Sequence, residues 1–135
     1  MISGALIHPD LMRMLSLCGH GDQVLIADGN YPLASKSAAA ERVYLGLAPG
    51  LPTVPQVLSA LQSVIRVEAA QVMRPEDGST PEIFREFSSM LGGMKLSPLG
   101  RAEFYDACCR PWVRLAISTG ERRTYANLLL TVGVV

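Results

Sequence analysis

The sequence has no excess of charge of either sign. Twelve basic and twelve acidic residues give a formal net charge of zero, and no run of like charges occurs along the chain. Proteins that bind nucleic acid or anionic lipid surfaces by electrostatics present a concentrated basic patch. We therefore expect neither a nucleic acid nor a membrane as a partner.

Long hydrophobic runs and cysteine motifs are also missing. No stretch approaches the ~18 to 20 apolar residues of a membrane span, and the first residues lack the basic and apolar segments of a secretory signal. The three cysteines, Cys18, Cys108 and Cys109, are odd in number and have no CxxC or Cys/His spacing. We expect a cytoplasmic protein with no structural disulfide and no metal site.

Apolar residues, in contrast, are abundant. Hydrophobic residues make up 49% of the chain and charged residues only 18%, with a mean hydropathy of +0.25. A body of this size has too much surface to hide that many apolar groups. We expect residues 1–135 to form one domain, part of whose surface contacts other subunits.

Hydrophobic periodicity predicts helices that alternate with strands, which is typical of an α/β layered sheet. The predicted helices begin at His8-Pro9, after a Thr53/Gln56 capping box, with a cap at Thr80-Pro81-Glu82, and over 101–110. The predicted strands cover 24–27, a short segment near 42–45, 67–73, 113–118 and 124–130. Gly19 is predicted to end the first helix.

The first candidate site surrounds His20, which lies between Gly19 and Gly21 and just past the predicted end of a helix. Imidazole exchanges protons near neutral pH, and its glycine neighbours leave it accessible. Asp22 follows at once, and Asp28 comes directly after the next predicted strand. Ligands on α/β sheets gather at strand ends, so both carboxylates are candidates.

The second candidate site lies near the C-terminus. In a strand over 124–130 the side-chain period of two places Tyr125 and Asn127 on one face. A phenol and an amide can donate to and accept from a polyhydroxylated ligand, while Arg101 adds a planar donor and Asp28 an acceptor for vicinal hydroxyls. The sequence contains no catalytic-triad pattern, phosphate-binding loop or metal-ligand spacing.

Each candidate also has an ordinary structural alternative. His20 suits a loop or capping histidine, Asp28 a turn aspartate and Asp22 a solvated loop charge. The polar pair of the last strand suits an exposed or interface position, and Arg101 a solvated residue at a helix start. The residues alone leave these alternatives open.

Four segments in the same order and spacing resemble the L-fucose mutarotase and D-ribose pyranase (RbsD/FucU) family, and the resemblance covers nearly the whole chain. The segments are His8-Pro9-Asp10-Leu11, Gly19-His20-Gly21-Asp22 with Ile26 to Pro32, Phe104-Tyr105, and Thr119-Gly120-Glu121-Arg122 with Tyr125 to Leu130 and Gly133-Val134.

The resemblance implies an RbsD-like fold, a single three-layer α/β/α domain with a mixed sheet. It also implies ring-shaped homo-oligomers, often decamers, and a reaction that needs no cofactor or metal. The implied catalytic residues are His20, as proton donor, and Asp22. The implied substrate-binding residues are Asp28, Arg101, Tyr125, Ala126 and Asn127.

The same resemblance bears on the sugar. Ribose pyranases of the family tend to carry a histidine where this chain has Arg101, and Thr-Pro where it has Arg123-Thr124, so both differences favour the fucose branch. The implied function is a mutarotase that interconverts the anomers of L-fucose or a related monosaccharide by acid/base ring opening. The alternatives are a D-ribose pyranase and a non-catalytic sugar-binding protein on the same fold.

The separation of His20 from Asp28 adds a geometric expectation. Fully extended at ~3.3 Å per residue, this segment would span up to about 26 Å, more than one monosaccharide can bridge. Either the segment bends or two subunits share a site. We favour a shared site.

Overall fold

A computed structural model describes residues 1–135, which form four helices and six strands. The helices are α1 (Pro9–Leu17), α2 (Val54–Gln62), α3 (Glu82–Met90) and α4 (Arg101–Cys108). The strands are β1 (Gln23–Ala27), β2 (Glu41–Tyr44), β3 (Val67–Met73), β4 (Ser97–Leu99), β5 (Val113–Ser118) and β6 (Leu128–Val132).

The six strands form one mixed sheet in the order β2-β5-β1-β6-β3-β4. Strand β6 runs antiparallel to both of its neighbours, β1 and β3. The remaining pairs, β2 with β5, β5 with β1, and β3 with β4, are parallel. The expected mixed sheet is confirmed.

Helices cover both faces of the sheet. Strand β1 is buried on both sides, and its alternation divides the core: Val24 and Ile26 face the larger cluster, Leu25 and Ala27 the smaller one. The larger cluster contains the buried residues of α1, α2 and α3, whereas the smaller one contains Phe104 of α4. The three-layer α/β/α prediction is therefore confirmed.

Local signals explain two helix starts. His8 caps α1, where its Nδ1 atom accepts the Leu11 backbone N–H at 3.4 Å, and Pro9 takes the first helical position. The Thr53/Gln56 capping box of α2 is confirmed, since each side chain accepts a backbone N–H at the other residue.

The predicted end of α1 and the limits of α3 and α4 need correction. Helix α1 was predicted to end at Gly19, but Cys18 is its C-cap and has an extended conformation. Gly19 does not adopt the left-handed conformation of a glycine cap. Pro81 occupies the N-cap of α3, where no side-chain cap bond forms, so Thr80 does not cap it. The helix predicted over 101–110 is shorter in the structure, where α4 ends at Cys108, although Pro111 would have allowed it to continue to Arg110.

Two strands also differ from prediction. Strand β6 begins at Leu128, because Tyr125 has φ 60°, a left-handed conformation that cannot continue a strand. Tyr125 and Asn127 therefore do not alternate on a strand face but lie in the loop before it. The edge strand β4 was not predicted, since three residues containing Pro98 show no periodicity.

The topology brings distant segments to two opposite edges. The C-terminal ends of β1, β3 and β5 meet the start of the antiparallel β6 at one edge, called here the Asp28 edge. The start of β1 meets the start of β3 and the end of β6 at the other, called here the His20 edge. None of the helices has the length and apolar character of a membrane span.

Candidate functional site

A pocket of about 180 Å³ opens at the Asp28 edge. This volume is below the roughly 300 to 1,000 Å³ of pockets for drug-sized ligands, so it suits a smaller molecule. It is lined by Asp28, Asn30, Tyr31, Met73, Arg101, Tyr105, Thr124, Tyr125 and Asn127. The structure thus brings four of the predicted site residues, Asp28, Arg101, Tyr125 and Asn127, into one pocket.

Asp28 and Asn127 form a reciprocal pair in this pocket. The Asp28 backbone N–H donates to Asn127 Oδ1 at 2.8 Å, and Asn127 Nδ2 donates to Asp28 Oδ2 at 3.2 Å. The Asn30 backbone N–H also donates to Asp28 Oδ1 at 2.9 Å. Each carboxylate oxygen has a further lone pair, so Asp28 can still accept from a ligand hydroxyl.

Burial raises the pKa of Asp28, and the hydrogen bonds from Asn30 and Asn127 oppose that rise. The residue is nearly inaccessible, at 3% exposure, because the end of β1 lies between two strands. A carboxylate held in this way keeps one orientation, which favours recognition of hydroxyl groups at defined positions.

Tyr125 adopts a strained backbone conformation beside this pair. A left-handed φ of 60° is uncommon for a residue with a Cβ, and such residues cluster at ligand sites. The turn it makes before β6 places Tyr125 in the pocket wall and Ala126 in the core. Ala126 is fully buried and does not line the pocket, so its substrate contact stays a prediction.

Helix α4 forms the opposite wall. Arg101, at its first position, and Tyr105, one turn later, lie on the same face, with Arg101 Nε 3.4 Å from the Tyr105 hydroxyl. The Tyr105 ring in turn contacts Tyr31, with 5.5 Å between the ring centroids. Sequence reasoning missed Tyr105 as a site residue, although its spacing of four from Arg101 was a usable signal.

His20 and Asp22 lie at the His20 edge, away from this pocket. His20 Nε2 is 3.0 Å from both carboxylate oxygens of Glu68, and Asp22 Oδ2 accepts the Gly19 backbone N–H at 2.8 Å. Strand β1 runs between the two edges. Within one chain, the predicted proton exchanger and the predicted sugar-binding residues are therefore separated.

Comparison with known proteins assigns the chain to a family. The model of the RbsD / FucU transport protein family matches residues 1–135. The chain belongs to this family. A D-ribose pyranase of Clostridium botulinum (strain Eklund 17B / Type B) is 30% identical, with 97% of this chain and 96% of the relative covered. A D-ribose pyranase of Paracidovorax citrulli (strain AAC00-1) is 34% identical over 96% of this chain and 95% of the relative.

Two solved structures similar to this chain contain a bound sugar, D-ribose in one and L-fucose in the other. Bacillus subtilis RbsD complexed with D-ribose superposes with a TM-score of 0.86 at 25% identity, covering 100% of this chain and 99% of the other. The fucose mutarotase of Streptococcus pneumoniae in complex with L-fucose has a TM-score of 0.79 at 29% identity, with 96% and 94% covered. Membership of the RbsD / FucU family is thus established, and both branches share the fold.

A second cavity of about 480 Å³ lies at the same edge of this RbsD / FucU family member. Its lining comes from the loops after β1, β2 and β5 and includes three glycines, Gly29, Gly46 and Gly120, together with Asn30, Thr119, Glu121 and Arg122. Its one carboxylate, Glu121, is already bonded to Arg123 at 2.9 Å and to the Val54 backbone N–H at 3.2 Å. Asp28, in contrast, has no ion pair, so the Asp28 pocket is the better candidate for accepting sugar hydroxyls.

No three His, Cys, Asp or Glu side chains come together in a group that could hold a metal ion, and all three cysteines are free. The side chains at the two edges can transfer protons and form hydrogen bonds. The pocket supplies carboxylate, amide, phenol and guanidinium groups at the Asp28 edge, while the imidazole lies at the His20 edge.

Proposed function

We propose that residues 1–135 are a single mutarotase domain that interconverts the ring forms of a monosaccharide, with L-fucose as the first candidate substrate. The observation that carries the proposal is the buried Asp28–Asn127 pair in a small pocket beside Arg101 and Tyr125. Family membership supports it, since solved relatives include a fucose mutarotase and a ribose complex.

The reaction requires only proton transfers. A base removes the proton from the anomeric hydroxyl, the ring oxygen gains a proton, and the bond between the anomeric carbon and the ring oxygen breaks to give the open aldehyde. The aldehyde group rotates, and the two transfers reverse to close the ring on the other face. His20 is the proposed proton exchanger, at the ~10²–10⁴-fold level of general acid/base groups.

The binding roles follow from the pocket. Asp28 accepts sugar hydroxyls, while Arg101 and Asn127 donate to sugar oxygens, and Tyr125 flanks the ring. Asp22 acts on the imidazole side, where its bond to the Gly19 backbone orders the loop that carries His20.

The active form is proposed to be a homo-oligomer, a decamer in the first instance, whose sites lie between subunits. His20 and Asp22 of one subunit then complete the Asp28 pocket of its neighbour. Exposed apolar residues near both half-sites support this arrangement. Leu17, beside the His20 loop, is 65% exposed, and Leu47, which lines the second cavity at the Asp28 edge, is 80% exposed.

Magnetization-exchange NMR on L-fucose, D-ribose and D-galactose tests the activity. We expect accelerated exchange with the parent protein and a loss of ~10²–10⁴-fold in His20→Ala with sugar binding retained. His8→Asn is the matched control, because asparagine preserves the cap of α1 and leaves the His20 edge unchanged. No exchange in the parent, with binding intact, would instead identify a non-catalytic sugar-binding protein.

A D-ribose pyranase is the second candidate, favoured by relatives that carry that name. The Arg101→His variant separates the two, because the resemblance associates a histidine at this position with ribose pyranases. If the parent prefers L-fucose, this variant is expected to lose fucose exchange and gain relative activity on D-ribose. A parent that accelerates only ribose exchange identifies the ribose branch.

A further inference from the structure

Glu68 is the ion partner of His20 and belongs to none of the roles assigned above. Both of its carboxylate oxygens lie 3.0 Å from His20 Nε2, although 48 residues separate the two in sequence. No other ion pair in the chain involves a histidine. Asp22, the nearest carboxylate in sequence, is bonded to the Gly19 backbone N–H.

A β-bulge directs Glu68 toward His20. Val67 pairs with Val132 and Ala69 with Thr131, so Glu68 is the extra residue in strand β3 opposite β6. Bulges redirect side chains and are over-represented beside active sites. The strand register therefore sets the direction in which Glu68 leaves β3, although 41% of its side chain is exposed.

Gly133 provides the space that Glu68 occupies. A Cβ atom at Gly133 would lie 3.0 Å from the Glu68 Cβ and 3.5 Å from its backbone nitrogen, neither of which can move independently of the strand. The Gly133 N–H donates to the Arg66 carbonyl at 2.9 Å, which holds the two segments together. A side chain at Gly133 would displace Glu68 from the position in which it contacts His20.

The loop that carries His20 is anchored to the same strand pair. The Gly21 N–H donates to the Val132 carbonyl at 2.9 Å, and the Val132 N–H donates to the Asp22 carbonyl at 2.9 Å. His20 and Glu68 are thus both positioned by backbone bonds to the end of β6. The main chain on both sides of the pair is thereby fixed, whereas the side chains of His20 and Glu68 are 58% and 41% exposed.

We propose, resting on the function proposed above, that Glu68 is a positioning residue that sets the tautomer of His20. In the neutral ring one nitrogen carries the proton and the other accepts, and the partner of one nitrogen decides which is which. The carboxylate only accepts, so Nε2 carries the hydrogen and Nδ1 keeps its lone pair. Nδ1 is then the atom that takes the proton from the sugar.

Long-range ¹H–¹⁵N correlation NMR of the full chain tests the tautomer directly. We expect His20 of the parent to be the Nε2–H form, and Glu68→Gln to populate the Nδ1–H form, because an amide can also donate to the ring. His8 is an internal control, since it is the only other histidine and should keep its signals. Glu82→Gln is the matched control, an exposed glutamate paired with Arg85 at 3.5 Å.

Kinetics test the consequence for the reaction. Glu68→Gln is expected to lower kcat about ten-fold, a part of the ~10²–10⁴-fold available to general acid/base groups, with KM for the sugar unchanged. Glu68→Asp should restore part of the loss. Gly133→Ala keeps the carboxylate of Glu68 but shifts its position, so it should also lower kcat.

An Nδ1–H tautomer in the parent, or unchanged His20 signals and kcat in Glu68→Gln, would overturn the proposed role while leaving the mutarotase assignment intact. A rise in kcat in Glu68→Gln would also overturn it, because Glu68 would then compete for the catalytic nitrogen. A parent without exchange on any sugar refutes the proposed function, and the positioning role with it.

Discussion

The separation of His20 from Asp28 makes a quantitative prediction about pairs of inactive variants. His20 precedes β1 and Asp28 follows it, so the two side chains lie at opposite edges of the sheet. The five residues of β1, at ~3.3 Å per residue, hold the two edges roughly 15 Å apart, which is farther than one bound monosaccharide reaches within one chain. If activity requires both groups, they come from different subunits.

Mixed oligomers of His20→Ala and Asp28→Asn test this directly. Each variant is expected to be inactive alone. In a symmetric ring assembled at random from equal amounts, half of the pockets have an intact Asp28 and half of the neighbours supply an intact His20. About a quarter of the sites are then complete, and the mixture should recover about a quarter of the parental exchange rate.

The assay is co-expression of the two variants with different affinity tags, tandem purification and magnetization-exchange NMR on the best substrate. Light scattering after size exclusion verifies that the mixed species is an oligomer. Arg101→Ala replaces Asp28→Asn as a second pocket variant, because Arg101 is exposed and carries little of the fold. A mixed oligomer that remains as inactive as its parents, or a fully active monomer, would refute the shared site.

Three further predictions concern stability and binding. Gly120→Ala is expected to lose at least about 2 kcal/mol of unfolding free energy, because its Cβ would overlap the Ala48 carbonyl oxygen and the Leu51 backbone in the loop after β2. Thermal melts should show no comparable loss in Gly19→Ala, where nothing lies within 4 Å. Hydrogen bonds from Arg123 hold the pKa of Glu121 below its usual 4.5. These bonds therefore stabilise the folded protein fully above pH 4.5, and the stabilisation is lost as the pH falls through the pKa of Glu121 in the folded state. Glu121→Gln should therefore cost about 2 kcal/mol at pH 7 in urea titrations, and a cost that stays constant down to pH 3 would contradict the linkage. Tyr105→Phe removes a pocket hydroxyl and should raise KM about two- to ten-fold with unchanged kcat, whereas an unchanged KM would exclude this residue from the sugar contacts.

Local patterns were sufficient for much of the fold. The apolar run at 24–27 predicted a strand buried on both faces, and it is the central strand β1. The Thr53/Gln56 box predicted the start of α2, because both partners lie within one helical turn. The placement of His20 before β1 and Asp28 after it also follows from the chain order alone.

Tyr125 shows where local pattern fails. Alternation over 124–130 predicted a strand, but the left-handed turn at Tyr125 delays β6 to Leu128. Ala126 consequently points into the core, while Tyr125 and Asn127 both line the pocket. The prediction that Tyr125 and Asn127 lie together is correct, but its reason is wrong. The two residues are not on one strand face, and the turn at Tyr125 brings them together.

By itself, the sequence determined most of the helices and strands, the α/β layered class and the residue types available for sugar chemistry, because these depend on periodicity and capping within a few residues. The three-layer arrangement was implied by the family resemblance alone. Tertiary structure decided which of those residues meet. Asn127 bonds to Asp28 across 99 positions, and Glu68 bonds to His20 across 48. Both contacts depend on strand order and on a bulge in the register of β3 with β6, which non-local pairing sets and no local pattern encodes.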